Sequence, residues 1–176
     1  MKILSAKFFD RPTVEVAHGL IGCHLVRKRG SKIKRYLITE TEAYDGPKDL
    51  ACHASKGRTK RTEVLFGKPG LIYIYFTYGM HWLMNFVAGP EGYPAGVLIR
   101  GIQDSTGEAT NGPARITKKL GLDGRLHGKE SGKATGLWVE AGEQIQSRRI
   151  KRAHRVGVDY AGPIWSKRKW RFILKA

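Results

Sequence analysis

Two glutamates, Glu40 and Glu42, lie in a stretch whose β-branched and aromatic residues are typical of a β-strand. Alternate side chains of a strand point to the same face, so both carboxylates share a face with Ile38 and Tyr44. In a partly desolvated cleft such a carboxylate can act as a general base, because burial or a neighbouring charge shifts its pKa. A solvated outer face or an edge strand would explain the pattern without chemistry, and the spacing alone leaves both interpretations open.

A histidine, His53, follows in a glycine- and proline-rich loop over residues 45–70. Loops of this length are uncommon in compact domains and often carry function. With Asp45 and Asp49 close by, His53 could contribute to a divalent-metal site, and such a site would favour a nuclease. A histidine that stacks or hydrogen-bonds at a pocket wall is the alternative.

An aromatic β-hairpin is the most informative segment of the chain. Tyr73 and Tyr75 share one face of its first strand, and Tyr78 stands at the turn beside Gly79, followed by Met80. Turns are usually polar, because an apolar residue at an exposed tip has nothing to pack against. The pattern is explained if Tyr78 is a wedge that enters between stacked bases, although a tip folded back onto the core would also accommodate it.

Strands dominate the elements that must position these residues. A helix is predicted around residues 14–21, and Gly112-Pro113 starts another that ends near Gly121. The predicted strands are residues 23–29, 33–44, 71–78, 81–88, 96–102 and 137–140. We expect a single α+β domain over residues 1–176, with a mostly antiparallel, curved β-sheet, short surrounding helices and a protruding β-hairpin.

The chain is strongly basic, because 32 lysines and arginines against 15 aspartates and glutamates give it a formal net charge of +17. This excess excludes an acidic disordered protein and indicates a polyanionic partner. The basic residues concentrate towards both ends of the chain, and we expect residues 148–155 and 167–171 to form a surface that binds phosphates. A non-catalytic nucleic-acid-binding protein would explain the charge, but it leaves Glu42 and the aromatic tip unexplained.

The cysteines and the hydropathy pattern bear on the compartment. Cys23 and Cys52 are too few for a disulfide framework or a four-cysteine zinc site, so we expect two small buried hydrophobic residues. No stretch approaches the roughly 18 apolar residues that a membrane span needs, and the N-terminus has no apolar run of signal length. These features predict an intracellular protein without membrane contact.

Together the carboxylate, the aromatic side chains and the basic charge describe base flipping. An enzyme that acts on a base inside a duplex must extrude the base, hold it and fill the gap. Tyr44, His53 and Tyr75 would be pocket walls, Tyr78 would fill the gap and Glu42 would activate water. These residues do not by themselves identify the bond that is broken.

Seven blocks of the sequence, taken in their order, resemble the sequence motifs of a known family. They are ITETEAYDGP at 38–47, ACH at 51–53, KPGLIYIYFTYGMH at 68–81, MN at 84–85, VLIR at 97–100, NGPA at 111–114 and RVGV at 155–158. With these blocks the chain resembles, over nearly its whole length, the alkyladenine DNA glycosylases, also called 3-methyladenine or methylpurine DNA glycosylases.

The resemblance implies a monofunctional glycosylase that hydrolyses the N-glycosidic bond of damaged purines with water, and with no metal or other cofactor. Glu42 would activate that water, whereas Glu40 belongs to the same block but is not assigned to catalysis. Tyr44, His53 and Tyr75 match the residues that sandwich and hydrogen-bond the flipped base.

The resemblance also implies contacts for the hairpin and the neighbouring strands. Tyr78 matches an intercalating tyrosine, and Met80 matches a second residue at the DNA groove. Asn85 matches a pocket residue that crowds out the exocyclic amino group of guanine, and Arg100 matches a pocket arginine facing the reaction centre. The expected partner is double-stranded DNA containing damaged purines, bound by a DNA-associated monomer. A metal-dependent nuclease is the third hypothesis, and its mark would be loss of cleavage on chelation.

Overall fold

The computed structural model describes residues 1–175, which contain nine β-strands and four short α-helices. The strands are β1 (His24–Arg29), β2 (Lys32–Asp45), β3 (Ile72–Thr77), β4 (His81–Val87), β5 (Ala95–Gln103), β6 (Ala109–Asn111), β7 (Leu137–Glu140), β8 (Ile150–Ala153) and β9 (Arg171–Leu174). The helices are α1 (Ala6–Phe9), α2 (Thr13–Gly19), α3 (Pro113–Leu120) and α4 (Gly162–Ser166).

The strands form one sheet in which every pairing is antiparallel. Its main path runs β3-β4-β5-β2-β1-β7, with β6 beside β5 and with β9 and then β8 beside β2. The first half of the long strand β2 pairs with β1, and the second half lies between β5 and β9. The α+β class and the mostly antiparallel sheet predicted from the sequence are confirmed.

The register of β2 against β5 shifts on both sides of Glu40, which marks a β-bulge. Gly101 lies opposite this irregularity, and a Cβ added there would stand 2.7 Å from the Cβ of Glu40. On the other face of β2, the hydroxyl of Thr41 donates to the carbonyl of Ala17 in α2 at 2.8 Å. The glutamates of β2 therefore point away from the helix-covered face.

The main core packs α1, α2 and α3 against the sheet. Its largest fully buried side chains include Phe9, Leu20, Leu25, Ile38, Phe86, Ile99, Ile102 and Phe172. Both cysteines are buried and free, as predicted. Burial of this kind is the main contribution to the stability of such a domain, at about 25 cal/mol per Å² of apolar surface.

Sequence patterns predicted the longer elements more successfully than the shorter ones. Helix α3 begins with Pro113 and ends just before Gly121, as predicted, and Gly121 lies in the left-handed region at φ 60°. The segment 45–70 contains two single 3-10 turns, His53–Lys56 and Glu63–Phe66. The sequence analysis did not predict β6, β8, β9, α1 or α4. Within residues 1–175, no helix has the length and apolarity to span a bilayer.

Candidate active site

The hairpin β3–β4 ends in an exposed aromatic tip. Tyr78 is 87% exposed and Met80 is 68% exposed, so the alternative of a tip folded back onto the core is wrong. The Met80 N–H donates to the carbonyl of Thr77 at 3.2 Å, which closes the turn. Tyr78 has φ 52° and Gly79 has φ 66°, and among residues 1–175 Tyr78 is the sole non-glycine residue with positive φ. A bulky residue in this region is held there at a cost in backbone energy.

Beside the hairpin, the sheet face opposite α2 carries a cavity of about 340 Å³. This volume lies within the range of small-ligand pockets. The sequence-predicted pocket residues Tyr44, His53, Tyr75, Asn85 and Arg100 all line the cavity. They come from β2, the following loop, β3, β4 and β5, so the fold brings together side chains that are far apart in the chain.

Aromatic rings form one wall of the cavity. The ring centroids of His53 and Tyr75 are 4.6 Å apart, with an interplanar angle of 80°. The Nδ1 of His53 lies 3.0 Å from the hydroxyl of Tyr73. Burial lowers the pKa of His53 to about 4, and the charges of Arg61 and Lys56 act in the same direction. The imidazole is therefore neutral at physiological pH. Burial also raises the pKa of Tyr75, whose hydroxyl stays protonated.

Asn85 is held in one orientation on the neighbouring strand. Its Nδ2 donates to the carbonyl of Tyr73 at 3.2 Å, and the side chain is buried. An amide whose donor is already engaged with the backbone presents a defined surface to the cavity, so the pocket has a fixed shape at this position.

Glu42 lies directly behind the cavity wall and has no solvent exposure. Its Oε1 accepts a hydrogen bond from the Val156 N–H at 2.8 Å, and its Oε2 accepts one from the Tyr44 hydroxyl at 2.8 Å. The Nε of Arg100 lies 3.4 Å from Oε1. Burial raises the pKa of Glu42, while Arg100 and the two hydrogen bonds oppose this rise. The solvated-face interpretation of this glutamate is wrong.

Glu40 occupies a different environment two residues away. Its Oε1 accepts from the Nε of Arg100 at 3.0 Å and from the Nε of Arg171 at 2.7 Å. Arg100 thus lies between the two glutamates, and Arg171 in β9 completes a cluster of two carboxylates and two guanidinium groups. Glu40 is buried as well, so the solvated-face interpretation is wrong for both residues.

The two aspartates suggested as metal ligands have other partners. The Oδ1 of Asp45 accepts from the hydroxyl of Thr13 at 2.7 Å. Asp49 is fully buried and pairs with Arg155, whose Nη2 lies 2.9 Å from its Oδ1. Within residues 1–175, no group of three or more His, Cys, Asp or Glu side chains is placed to hold a metal ion. The proposed cluster of His53 with these aspartates is therefore not assembled.

Sequence analysis missed functional groups in the segment that follows β8. Arg155 was expected on a basic surface, but it is buried, because its guanidinium group pairs with Asp49 in the interior. Val156 supplies the backbone donor to Glu42. Tyr160 is 69% exposed, lines the cavity and donates from its hydroxyl to the carbonyl of Ala51 at 3.2 Å. The RVGV block was the available signal, but the surrounding basic residues obscured it.

Comparison with known proteins places the chain in a family. The family model for methylpurine-DNA glycosylase (MPG) matches residues 7–176. A relative from Methanocella arvoryzae is 40% identical, over 99% of this chain and 94% of its own length. One from Myxococcus xanthus is 41% identical, over 99% of this chain and 91% of its own length. Both are named, provisionally, as 3-methyladenine DNA glycosylases.

The chain belongs to the methylpurine-DNA glycosylase family. It is a DNA glycosylase, a hydrolase of DNA repair, and its substrate is DNA.

Proposed function

We propose that this glycosylase flips damaged purines out of duplex DNA into the cavity and hydrolyses the N-glycosidic bond with a water activated by Glu42. The observation that carries the proposal is the position of Glu42, which is fully buried behind three cavity-lining residues, Tyr44, Arg100 and Val156. Each carboxylate oxygen accepts one short hydrogen bond, from Val156 or from Tyr44, and this fixes the orientation of the carboxylate behind the cavity wall. We propose that the bound DNA brings a water molecule between this carboxylate and the flipped nucleotide.

The aromatic wall suits a purine. Tyr44, His53 and Tyr75 offer ring faces and edges against which a flat base can stack. Alkylation at a ring nitrogen makes the purine cationic, and electron-rich rings attract a cation. The fixed amide of Asn85 would crowd the 2-amino group of an undamaged guanine.

The reaction needs one bond broken and one formed. The bond between C1′ and the purine nitrogen breaks, the electron pair leaves with the purine, and positive charge develops on the deoxyribose. The oxygen of water bonds to C1′, and a proton of that water passes to Glu42. The products are an abasic site and a free base. The negative carboxylate also stabilises the developing positive charge. No enzyme nucleophile is involved, so we propose a monofunctional glycosylase without lyase activity.

Cationic lesions should be the easier substrates. A cationic purine leaves as a neutral base, whereas a neutral lesion needs a proton on its ring. His53 lines the cavity, but its pKa of about 4 leaves it neutral at physiological pH and therefore a poor proton donor. We propose that 3-methyladenine and 7-methylguanine are released faster than hypoxanthine or etheno-adducts.

Exposed basic side chains and the hairpin tip would hold the duplex. The loop beside the cavity exposes Lys56, Arg58, Lys60 and Arg61, and the tip projects Tyr78 and Met80. We propose that Tyr78 enters the stack and fills the place of the flipped base, while Met80 lies at the groove. Binding by a monomer should weaken steeply with salt, because each neutralised phosphate releases counterions.

Release of free purines from methylated duplex DNA, with a chelator present, tests the proposal. Wild type should release 3-methyladenine or 7-methylguanine, and Glu42→Gln should release none while it still binds lesion DNA. Glu40→Gln is the comparison variant, because it alters the neighbouring glutamate of the same motif: it should still release base, although its pH profile should change.

The other outcomes identify the competing hypotheses. Turnover by Glu42→Gln would remove that residue from its role. Tight, salt-sensitive binding without any release would indicate a binding protein that keeps the fold. Strand cleavage that stops on chelation would indicate a nuclease.

A further inference from the structure

A fully buried ion pair, Asp49 with Arg155, lies behind the cavity wall and is not part of the mechanism proposed above. Both side chains have no solvent exposure, and the guanidinium group contacts both carboxylate oxygens of Asp49. Removing two charges from water is unfavourable and offsets much of their mutual attraction, so a buried pair is weak evidence for a stabilising role. Its position in the molecule indicates a different role.

The guanidinium group of Arg155 joins three segments, of which β2 and the loop after it line the cavity. Its Nη1 donates to the carbonyl of Ala43 in β2 at 2.9 Å, and its Nη2 donates to the carbonyl of Trp165 in α4 at 3.1 Å. The third partner, Asp49, lies in the loop that leads to His53. That carboxylate also accepts from the backbone N–H groups of Asp45 and Ala51, at 3.0 and 3.1 Å, so it organises its own loop.

Both hydrogen bonds to Glu42 depend on groups that Arg155 holds. The residue that follows it, Val156, donates its N–H to Oε1 of Glu42 at 2.8 Å. The guanidinium group also lies over the ring of Tyr44, 4.9 Å from the centroid, and the hydroxyl of that ring donates to Oε2 of Glu42. Tyr44 is flanked by Ala43, whose carbonyl Arg155 binds.

We infer that the Asp49–Arg155 pair is a positioning device for the general base: it fixes the backbone donor of Val156 and the ring of Tyr44, and thereby the orientation of the Glu42 carboxylate. Neither side chain touches the substrate in this account. The inference rests on the proposed role of Glu42. A misplacement of about 1 Å at a reacting group can slow a reaction about 100-fold, so loss of this support should reduce the chemical step more than binding.

The experiment compares Asp49→Asn and Arg155→Lys with wild type. Asp49→Asn keeps the shape and removes the charge, whereas Arg155→Lys keeps the charge and removes the forked geometry. Arg35→Lys is the matched control, because Arg35 and Glu140 form another two-contact pair, at 2.8 and 3.3 Å, on the distant first half of β2. Single-turnover release from methylated duplex DNA is measured from pH 5 to pH 9 with enzyme in saturating excess, and lesion affinity is measured with Glu42→Gln added to each variant.

We expect the maximal rate to fall about 10- to 100-fold in Asp49→Asn and Arg155→Lys. In Arg155→Lys, which keeps the charge, the acidic limb of the rate profile should move to higher pH, because loosened donors to Glu42 no longer oppose the effect of burial on its pKa. In Asp49→Asn the unpaired charge of Arg155 acts in the opposite direction, so this variant is judged by its rate. Lesion affinity should change less than about threefold, and Arg35→Lys should match wild type throughout. Saturating single-turnover rates do not depend on the folded fraction, so partial unfolding would not produce this result.

Two results would overturn the inference. One is an unshifted acidic limb at an unchanged rate, and the other is a loss of affinity equal to the loss of rate. Arg155→Lys carries the test if Asp49→Asn does not fold. A wild-type protein that releases no base would instead overturn the proposed function itself.

Discussion

Tyr78→Asn should separate the stability of the fold from the affinity for damaged DNA. Tyr78 lies in the left-handed region at φ 52° and exposes 87% of its surface. The left-handed region costs an L-residue roughly 1–2 kcal/mol, and asparagine tolerates it better than other residues with a side chain. Because the ring is largely exposed, its removal loses little buried surface. The free energy of unfolding should therefore stay the same or rise by up to about 1 kcal/mol.

The affinity for lesion DNA should change in the opposite direction. Stacking of an aromatic side chain on a base contributes about 1–3 kcal/mol. Loss of the Tyr78 ring should therefore weaken binding of a lesion duplex by roughly 5- to 150-fold. Tyr78→Phe keeps the ring and the backbone strain, and it should keep both the affinity and the stability of wild type.

Urea unfolding and equilibrium binding of a fluorescent lesion duplex measure the two effects. Binding is measured with Glu42→Gln added to each variant, so that the duplex stays intact. A loss of stability above about 1 kcal/mol in Tyr78→Asn would show that the tip packs against the fold. Unchanged affinity would refute the interpretation of Tyr78 as a wedge.

Three further predictions concern the site. Tyr44→Phe removes the donor to Oε2 of Glu42, which favours the ionised carboxylate, so the acidic limb of the pH–rate profile should move to higher pH. Glu40→Gln frees Arg100 to pair with Glu42 alone, so the same limb should move to lower pH. His53 is neutral in the folded state with a pKa of about 4 and an ordinary value of 6.5, so the stability that it contributes is lost as pH falls from 6.5 towards 4. Urea unfolding measures the free energy of unfolding at pH 7.5 and at pH 4.5. Its decrease between these two values should be about 2–3 kcal/mol smaller in His53→Asn than in wild type.

Each of these has a contradicting result. A limb that moves down in Tyr44→Phe or up in Glu40→Gln would refute the electrostatic account of Glu42. Equal losses of stability on acidification in wild type and in His53→Asn would show that the histidine is not kept neutral by burial.

The sequence predicted those parts of the fold whose pattern is local. The alternation and aromatic content of β2, β3 and β4 identified the strands, and β7 was predicted with its observed bounds. Strands β8 and β9 have four residues each, too few for a periodic pattern, and both lie in the basic C-terminal part of the chain. They become strands because β9 pairs with β2, where Arg171 lies opposite Glu42.

The candidate site was predicted less from local pattern than from the resemblance to a family. The resemblance located the pocket residues, and the structure places them around one cavity. Arg155 was not separable by sequence from its basic neighbours, because its burial depends on Asp49, which lies 106 residues away in the chain. A charge run predicts exposure for its members on average, and only the tertiary partner identifies the exception.

The charges around Glu42 reconcile two requirements that conflict in a protein of net charge +17. A basic surface attracts DNA, but a positive cavity would repel a cationic purine. Arg100 lines the cavity, yet its Nε–H donates to Glu40, which also accepts from the Nε–H of Arg171. A carboxylate oxygen of Glu42 lies 3.4 Å from the same Nε of Arg100. Two carboxylates and two guanidinium groups cancel formally, so the cavity wall adds no net positive charge. Glu40 thus offsets the charge of Arg100 at the cavity wall without lining the cavity itself, which gives its place in the motif a physical reason.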